Sequence, residues 1–403
     1  MKKIVLILLG IIAAAAVIFI LKGSEFYKKI YTPNFFKRVP EKTSYNFLLF
    51  GYGGGVHEGA FLTDTIMLFH VDLKIKKASL ISLPRDLWVR LPTKSGANFH
   101  MKINSLYQLE MGEIGDVSEI YPDLSQKYFG SKNDAEFTKY ILSQALGIKI
   151  DYYGAIDFEG FTKAIDVLGG VDVNVLKSFE DPLYPVDGKE KDLCDSQTEE
   201  LFKKVETFLK SGYNPEDRNR VFKEDPKAEE FVKNATDSPE LAFPCRYETL
   251  KFTKGMTHMD GATALKYVRS RHSFQDGSDF GRSARQQQLV KAVKDKVLSV
   301  GFVPKIIPLL DELGKHVRTD IAIDDMKRFI GFASKVNEFQ LTTFVVSDQN
   351  FLIDSWSNDG QFILIPQEGV DQWNGVQQGL KNIMEGILPT STPTATQSGL
   401  LKK

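Results

Sequence analysis

From Tyr45 onward, short apolar runs alternate with Gly- and Lys-marked turns, the rhythm of a packed α/β domain. Asn46–Phe50 predicts a strand running into Gly51-Tyr52-Gly53-Gly54-Gly55. Thr65–Val71 and Ala78–Leu83 predict two more, separated by the Lys-rich turn Lys74–Lys77. Phe137–Leu146 has helical periodicity, Tyr152–Ile156 reads as a strand, and Phe158–Leu168 reads as a helix closed by Gly169-Gly170. Val171–Val175 alternates again as a strand. Further on, Gly261–Val268 reads as a helix. A second helix, capped by Ser278 or Asp279, carries Leu289, Val293 and Val297 on its apolar face. Asp324–Val336 (helix) and Leu341–Val346 (strand) complete the pattern, and no internal repeat is visible.

Residues 177–250 break this rhythm, with 18 acidic against 12 basic residues and several prolines. One helix is expected there, because Leu201, Phe202, Val205, Phe208 and Leu209 line one face. The segment reads as an insertion in a domain spanning 44–386. The tail, 387–403, is of low complexity and is expected to be disordered.

The N-terminus changes the class of protein. Met1-Lys2-Lys3 precedes an uncharged apolar run from Ile4 to Leu21, which as a helix spans about 27 Å. Residues 1–21 therefore read as a single-pass membrane anchor and 22–43 as a polar stalk. The competing reading is a cleaved signal peptide, but Val17–Leu21 follows the small residues Ala13–Ala16 and leaves no polar cleavage region. Lys2 and Lys3 are matched by Lys22, Lys28 and Lys29, so flanking charge does not fix the orientation. Cys194 and Cys245 are the only cysteines, and both fall in the acidic segment. In an exported protein they read as a disulfide closing that excursion, the alternative being two unrelated buried thiols. The net charge of −1 excludes a generally nucleic-acid-binding surface, so any basic patch is local. No Cys/His set has zinc-ligand spacing.

One local patch stands out. Arg269, Arg271, Arg282 and Arg285 fall within seventeen residues, and Arg85 lies far upstream in Pro84-Arg85-Asp86. Each guanidinium is a permanently charged fork that matches phosphate oxygens two at a time, so a cluster of them suggests a shared polyanion such as a pyrophosphate. An extended Arg269-Ser270-Arg271 would point both arginines one way. Arg282 and Gln286, four apart, share a helix face near its N-terminus, where the backbone dipole also favours an anion. Surface arginines paired with acids are the bland alternative. Asp64, in Leu62-Thr63-Asp64-Thr65, is either a turn cap or a carboxylate able to hold Mg²⁺ on phosphates or orient an attacking hydroxyl. The Gly51–Gly55 turn lacks both the dinucleotide fingerprint and a P-loop, and serves either as a tight loop or as a close approach of backbone to ligand.

Several stretches together resemble the LytR-CpsA-Psr family of envelope glycopolymer transferases: Asn46–Gly51, Thr63-Asp64-Thr65, Ser82–Asp86, Lys102–Ser105, Asp157–Phe161, Leu168–Val171 and the arginine cluster. The resemblance covers roughly Tyr45–Val175 and Gly255–Val300. It implies a three-layer α/β/α sandwich with a central mixed sheet, outside the cell membrane. It also implies transfer of a glycopolymer, such as teichoic acid or capsule, from undecaprenyl pyrophosphate to a peptidoglycan sugar hydroxyl, forming a phosphodiester with Mg²⁺ assisting. On that footing Arg85, Arg269, Arg271 and Arg282 grip the pyrophosphate with Gln286 beside them. Asp64 is the catalytic and metal-binding carboxylate, acting with Arg85 and Arg271. The lipid would lie between the sheet and helices such as Phe137–Leu146 and Phe158–Leu168. Two departures matter. Gly53 stands where the family has Asp, and Leu62 where it has Arg. His57 and Glu58, in the same loop, are candidate substitutes. A non-catalytic prenyl-pyrophosphate-binding protein and a prenyl-pyrophosphate hydrolase are the rival readings.

Overall fold

The computed structural model describes residues 42–55, 59–112, 114–129, 135–209, 214–297, 313–322, 325, 329 and 338–388. The expected anchor 1–21, the stalk up to residue 41, His57, Glu58, most of the helix expected at Asp324–Val336 and the tail from 389 lie outside them. No helix among the described residues is long and apolar enough to cross a membrane. The chain divides into two compact units, one within Met1–Asn174, Met256–Val268 and Ser283–Thr396, the other within Val175–Gly255 and Arg269–Arg282.

The first unit is built on a six-stranded mixed sheet. Its strands are β1 (Ser44–Tyr52), β2 (Thr63–Asp72), β3 (Lys77–Ser82), β4 (Tyr152–Asp157), β5 (Val317–Thr319) and β6 (Gln340–Val345), in the order β5-β4-β1-β2-β3-β6. β1 runs parallel to β4 and antiparallel to β2, β2 runs antiparallel to β3, and β3 runs parallel to β6. The carboxyl ends of β1, β3, β4 and β6 therefore share one edge, and β2 begins there. That edge is where open α/β sheets bind ligands.

Apolar side chains drive the assembly. Leu48, Leu68 and Leu80, on three adjacent strands, are fully buried, each contributing about 1.5–3 kcal/mol. Residues 78–82 are buried without alternation, as a strand covered on both faces requires. Hydrogen bonds show what covers it. Ser79 and Ser82, three apart, point to opposite faces of β3. The Ser79 hydroxyl donates to Ile383 O of the helix Asn374–Met384, whereas Ser82 Oγ accepts from Gln287 of the helix Asp279–Val297. Helices thus lie on both faces.

Two more helices are fixed by carboxylates at their first turns. Glu136–Leu146 starts where the Glu110 carboxylate accepts from Phe137 N–H at 2.7 Å and Thr138 N–H at 2.9 Å. Phe158–Leu168 starts on Asp157, whose side chain accepts from Gly160 N–H, and ends at Gly169 in the left-handed conformation. The helix Asp279–Val297 was expected to bury Leu289, Val293 and Val297; Leu289 is buried and the other two are half-buried. Its most buried stretch is polar, comprising Arg282, Ser283, Arg285, Gln286 and Gln287. Gln287 shows why this is tolerated: its amide also donates to Phe344 O at 2.7 Å.

The second unit holds more structure than the single helix expected in 177–250. Phe179–Pro185 pairs antiparallel with Tyr247–Phe252, and Ser196–Val205, Pro215–Glu224, Pro226–Asp237 and Pro239–Ala242 are helical. Pro215, Pro226 and Pro239 sit at the first turn of three helices, where a missing N–H costs nothing; Asn214 and Asp225 cap two of them. Val205, Ala228, Phe231, Ala242 and Phe243 form its core, with Leu201, Phe202, Phe208 and Leu209 packed against it. Cys194 and Cys245 are disulfide-bonded.

Candidate active site

Three motifs that are distant in sequence lock together at the carboxyl edge of the first unit. Leu83 N–H donates to Ile66 O, Asn104 N–H to Arg85 O, and the Thr63 hydroxyl to Asn104 O. Arg85 is thereby fixed against the start of β2, where its Nη1 donates to Asp64 Oδ1 at 2.7 Å. Asp86 lies behind it, 3.6 Å from Arg85 Nε and 2.7 Å from Lys102 Nζ. The guanidinium is held between two carboxylates, yet the Arg85 side chain stays 25% exposed and that of Asp64 38%. Both can meet a ligand.

The aim of Asp64 comes from the backbone. Gly51 faces Thr65 across the ladder and Tyr52 faces Thr63, so the register slips and leaves Asp64 opposite neither. Such an extra residue bends the strand and redirects its side chain, a device common beside active sites. Gln286 reaches the same place, its amide donating to Thr65 Oγ1 at 2.7 Å. Three of the residues singled out in the sequence, Asp64, Arg85 and Gln286, thus converge on the first residues of β2.

The Gly-rich turn is explained by its neighbour. Gly54 has φ +73°, and a Cβ there would lie 2.8 Å from the Asp157 Cβ. Asp157 itself is held by the helix Phe158–Leu168 and by His316, whose Nδ1 lies 3.0 Å from its carboxylate. Beneath the turn, Tyr52, Phe61 and Tyr107 pack ring against ring. Burial, and then the Asp157 charge, push the Tyr52 hydroxyl up to about 12, with Arg318 opposing. This layer stays neutral at physiological pH. Sequence patterns did not reveal His316, since a lone histidine after an unassigned stretch carries no signal.

In the second unit, Arg269 and Arg282 each meet an acidic side chain, while Arg271 Nε lies 3.3 Å from His272 Nε2. Arg269 bonds Asp187 at 3.2 Å and lies 5.6 Å from the Tyr184 ring; Arg282 is buried and pairs with Asp279 at 3.2 Å. The organiser of Arg269-Ser270-Arg271 is a residue that the sequence did not flag, Asp181. Its Oδ2 accepts from the Ser270 hydroxyl (2.6 Å), Arg271 N–H (3.0 Å) and His272 N–H (3.1 Å), and its Oδ1 from Leu183 N–H (3.0 Å). Burial raises the Asp181 pKa, but these four donors outweigh it and hold the carboxyl below its ordinary value. Ser270 is buried while the arginines on either side stay partly exposed.

The LytR_cpsA_psr family model matches residues 20–374, most of the chain. The chain belongs to the LytR_cpsA_psr family. Similar relatives include the polyisoprenyl-teichoic acid–peptidoglycan teichoic acid transferase TagV of Bacillus subtilis (strain 168), 25% identical over 68% of this chain and 49% of that protein. TagU of Halalkalibacterium halodurans, which carries the same transferase name, is 24% identical over 86% of this chain and 81% of that one. The chain thus spans about half the length of the TagV relative. Among solved structures, the fold resembles protein gbs0355 of Streptococcus agalactiae (TM-score 0.53, 16% identity, 88% of this chain and 92% of that one). It also resembles B. subtilis TagV (TM-score 0.51, 20% identity, 87% of this chain and 100% of that one). These likenesses support the α/β fold with its mixed sheet.

Mg²⁺ is the ion that the sequence resemblance led us to expect. This ion prefers oxygen ligands and commonly takes one or two carboxylates, with phosphates and water completing its shell. Asp64, partly exposed at the sheet edge and bonded through Oδ1 to Arg85, would offer one carboxylate to such an ion, the rest of whose shell would come from a phosphorylated substrate and water.

Proposed function

We propose that this chain is a membrane-anchored phosphotransferase moving a glycopolymer from an undecaprenyl-pyrophosphate carrier to a sugar hydroxyl of peptidoglycan. The observation that carries the reading is the convergence of Asp64, Arg85 and Gln286 on the start of β2, at the ligand-binding edge of the sheet. It occurs in a chain whose relatives TagV and TagU are named teichoic acid transferases. The segment 1–21, through its apolar run Ile4–Leu21, would anchor the chain, with the folded part outside the cytoplasm.

In this reaction the sugar hydroxyl oxygen bonds to the phosphorus bearing the glycopolymer, and the bond from that phosphorus to the bridging oxygen breaks. Undecaprenyl phosphate leaves with the bridging oxygen. Asp64 orients the incoming hydroxyl and takes its proton. Arg85 neutralises phosphate oxygens from a fixed position, so little reorganisation is needed as charge develops. Gln286 holds Thr65, and with it the backbone beside Asp64. Arg269, Arg271 and Arg282 are assigned to phosphate binding on their chemistry. Mg²⁺, when bound at Asp64, would supply further charge neutralisation.

The test uses the full chain in detergent with a radiolabelled prenyl-pyrophosphate-linked saccharide, Mg²⁺ and a glycan acceptor. Label appearing in the acceptor as a phosphodiester supports the reading. Release of free saccharide phosphate regardless of acceptor would establish hydrolysis instead. Gly53, where the family has Asp, favours a second reading, binding without turnover. A chain that retains the labelled lipid indefinitely would establish it.

A further inference from the structure

A cleft of about 290 Å³ opens in the first unit between the strand Trp88–Leu91, the helix Glu136–Leu146 and the segment preceding Asn374. Neither Asp64, Arg85 nor Gln286 lines it. Its floor is apolar, made by Val89, Leu91, Ile141 and Ala145, all buried. Tyr140 and Trp373 contribute aromatic walls. Tyr140 is braced face to face on Tyr128, with ring centroids 3.7 Å apart and planes 7° from parallel.

The rim is polar and partly built in advance. Arg90, whose Nη2 lies 3.5 Å from Gly96 O, lines it with Gln144 and Asp371. Asp371 adopts φ +63°, a left-handed conformation unusual outside glycine, and its two oxygens lie 3.0 and 3.1 Å from His100 Nε2. A carboxylate only accepts, so that nitrogen carries the proton. His100 in turn stacks on Trp88, with centroids 5.9 Å apart and planes 8° from parallel. A stacked imidazole therefore holds the carboxylate in place, while its side chain remains 30% exposed.

We propose that this cleft is a saccharide subsite, taking an N-acetylated hexosamine of a glycan strand. A pyranose ring offers an apolar C–H face to aromatic walls and a circle of hydroxyls to planar polar groups. Asp371 accepts from hydroxyls, Arg90 donates to them, and the Gln144 amide does both. The acetamido methyl suits the floor of Val89 and Ile141. One acid and one base leave the rim without net charge, which disfavours a polyanion such as pyrophosphate. The volume sits at the lower end of the roughly 300–1,000 Å³ of small-molecule sites. The choice of a glycan rests on the proposed function; the presence of a polar-rimmed aromatic cleft does not. A polymeric substrate is long enough to occupy the reaction centre and a separate subsite together.

The experiment is saturation-transfer NMR on the full chain in detergent, with N,N′-diacetylchitobiose as the probe. Saturation of the acetyl methyls is expected, with the dissociation constant rising about tenfold in Asp371→Asn, the loss of a hydrogen bond to a charged group. Gln144→Ala, a change on an exposed helix position, should weaken binding without altering the melting temperature. No transfer at millimolar probe, or transfer undiminished in both variants, would overturn the proposal. Displacement of the disaccharide by a prenyl phosphate would also overturn it and assign the cleft to lipid. Failure of transferase activity with intact disaccharide binding would count against the proposed reaction alone.

Discussion

Replacing Asp181 by Asn tests whether the arginine-bearing turn is organised in advance. One carboxylate receives four donors there, three of them on Oδ2. Asn keeps one acceptor oxygen and places an NH₂ group where the other oxygen stood. If the oxygen still faces Ser270, Arg271 and His272, the NH₂ opposes the Leu183 N–H, donor against donor. Hydrogen bonds to charged acceptors contribute about 1.5–3 kcal/mol against about 0.5–1.5 for neutral ones, and a buried unpaired N–H costs about 1–3. With partial relaxation the turn should lose about 2–4 kcal/mol, which accelerates amide exchange at Arg271 and His272 by about 30- to 1,000-fold. Hydrogen-exchange mass spectrometry over residues 268–275 at pH 7 reads this directly. The pH dependence separates charge from shape. The folded carboxyl titrates below its unfolded value of about 3.9, so its stabilisation is complete above that pH and is lost as pH falls through the folded value. The native turn should loosen only in acid, and Asp181→Asn should not show that step. Equal exchange in the two proteins at pH 7 would refute the claim that this carboxylate presets the arginines.

Three further outcomes are expected. Asp64→Asn and Arg85→Gln should each lower transfer by about 10²–10³ in rate, while circular-dichroism melts stay within ~1 kcal/mol of the parent because the pair is half-exposed. Gly54→Ala should destabilise by at least about 1–2 kcal/mol, since it forces a left-handed residue against the Asp157 side chain; a melting curve identical to the parent would show that the turn simply moves aside. Cys194→Ser should cost about 4 kcal/mol in the chain-entropy account of a bridge closing 51 residues, measured by urea titration and matched by the parent protein under reducing conditions.

The central strands were legible because buried β-structure leaves continuous apolar runs, and β1 to β4 fall within a few residues of those expectations. Helices with glycine stops were legible for a similar reason. The second unit was not. Its strand pair joins Phe179–Pro185 to Tyr247–Phe252 across more chain than local patterns span, and its prolines look like interruptions until their N1 positions are seen. The buried polar stretch of Asp279–Val297 defeats a hydrophobic reading, because Gln286 and Gln287 are satisfied by partners on β2, β3 and β6. The convergence at the start of β2 joins Asp64, Arg85 and Gln286, three residues that motif chemistry had singled out. Asp181 was hidden as one acid among many, and its role emerges only when four donors converge on it.

The register slip at Asp64 makes the direction of this group a matter of how many residues precede it rather than which ones. Swapping side chains along β1 or β2 leaves that count intact, so the carboxylate keeps its heading through considerable sequence drift. Deleting Thr63 would bring Asp64 opposite Tyr52 and let the ladder close evenly. The Asp64 carboxylate would then lose its heading although the residue is still encoded.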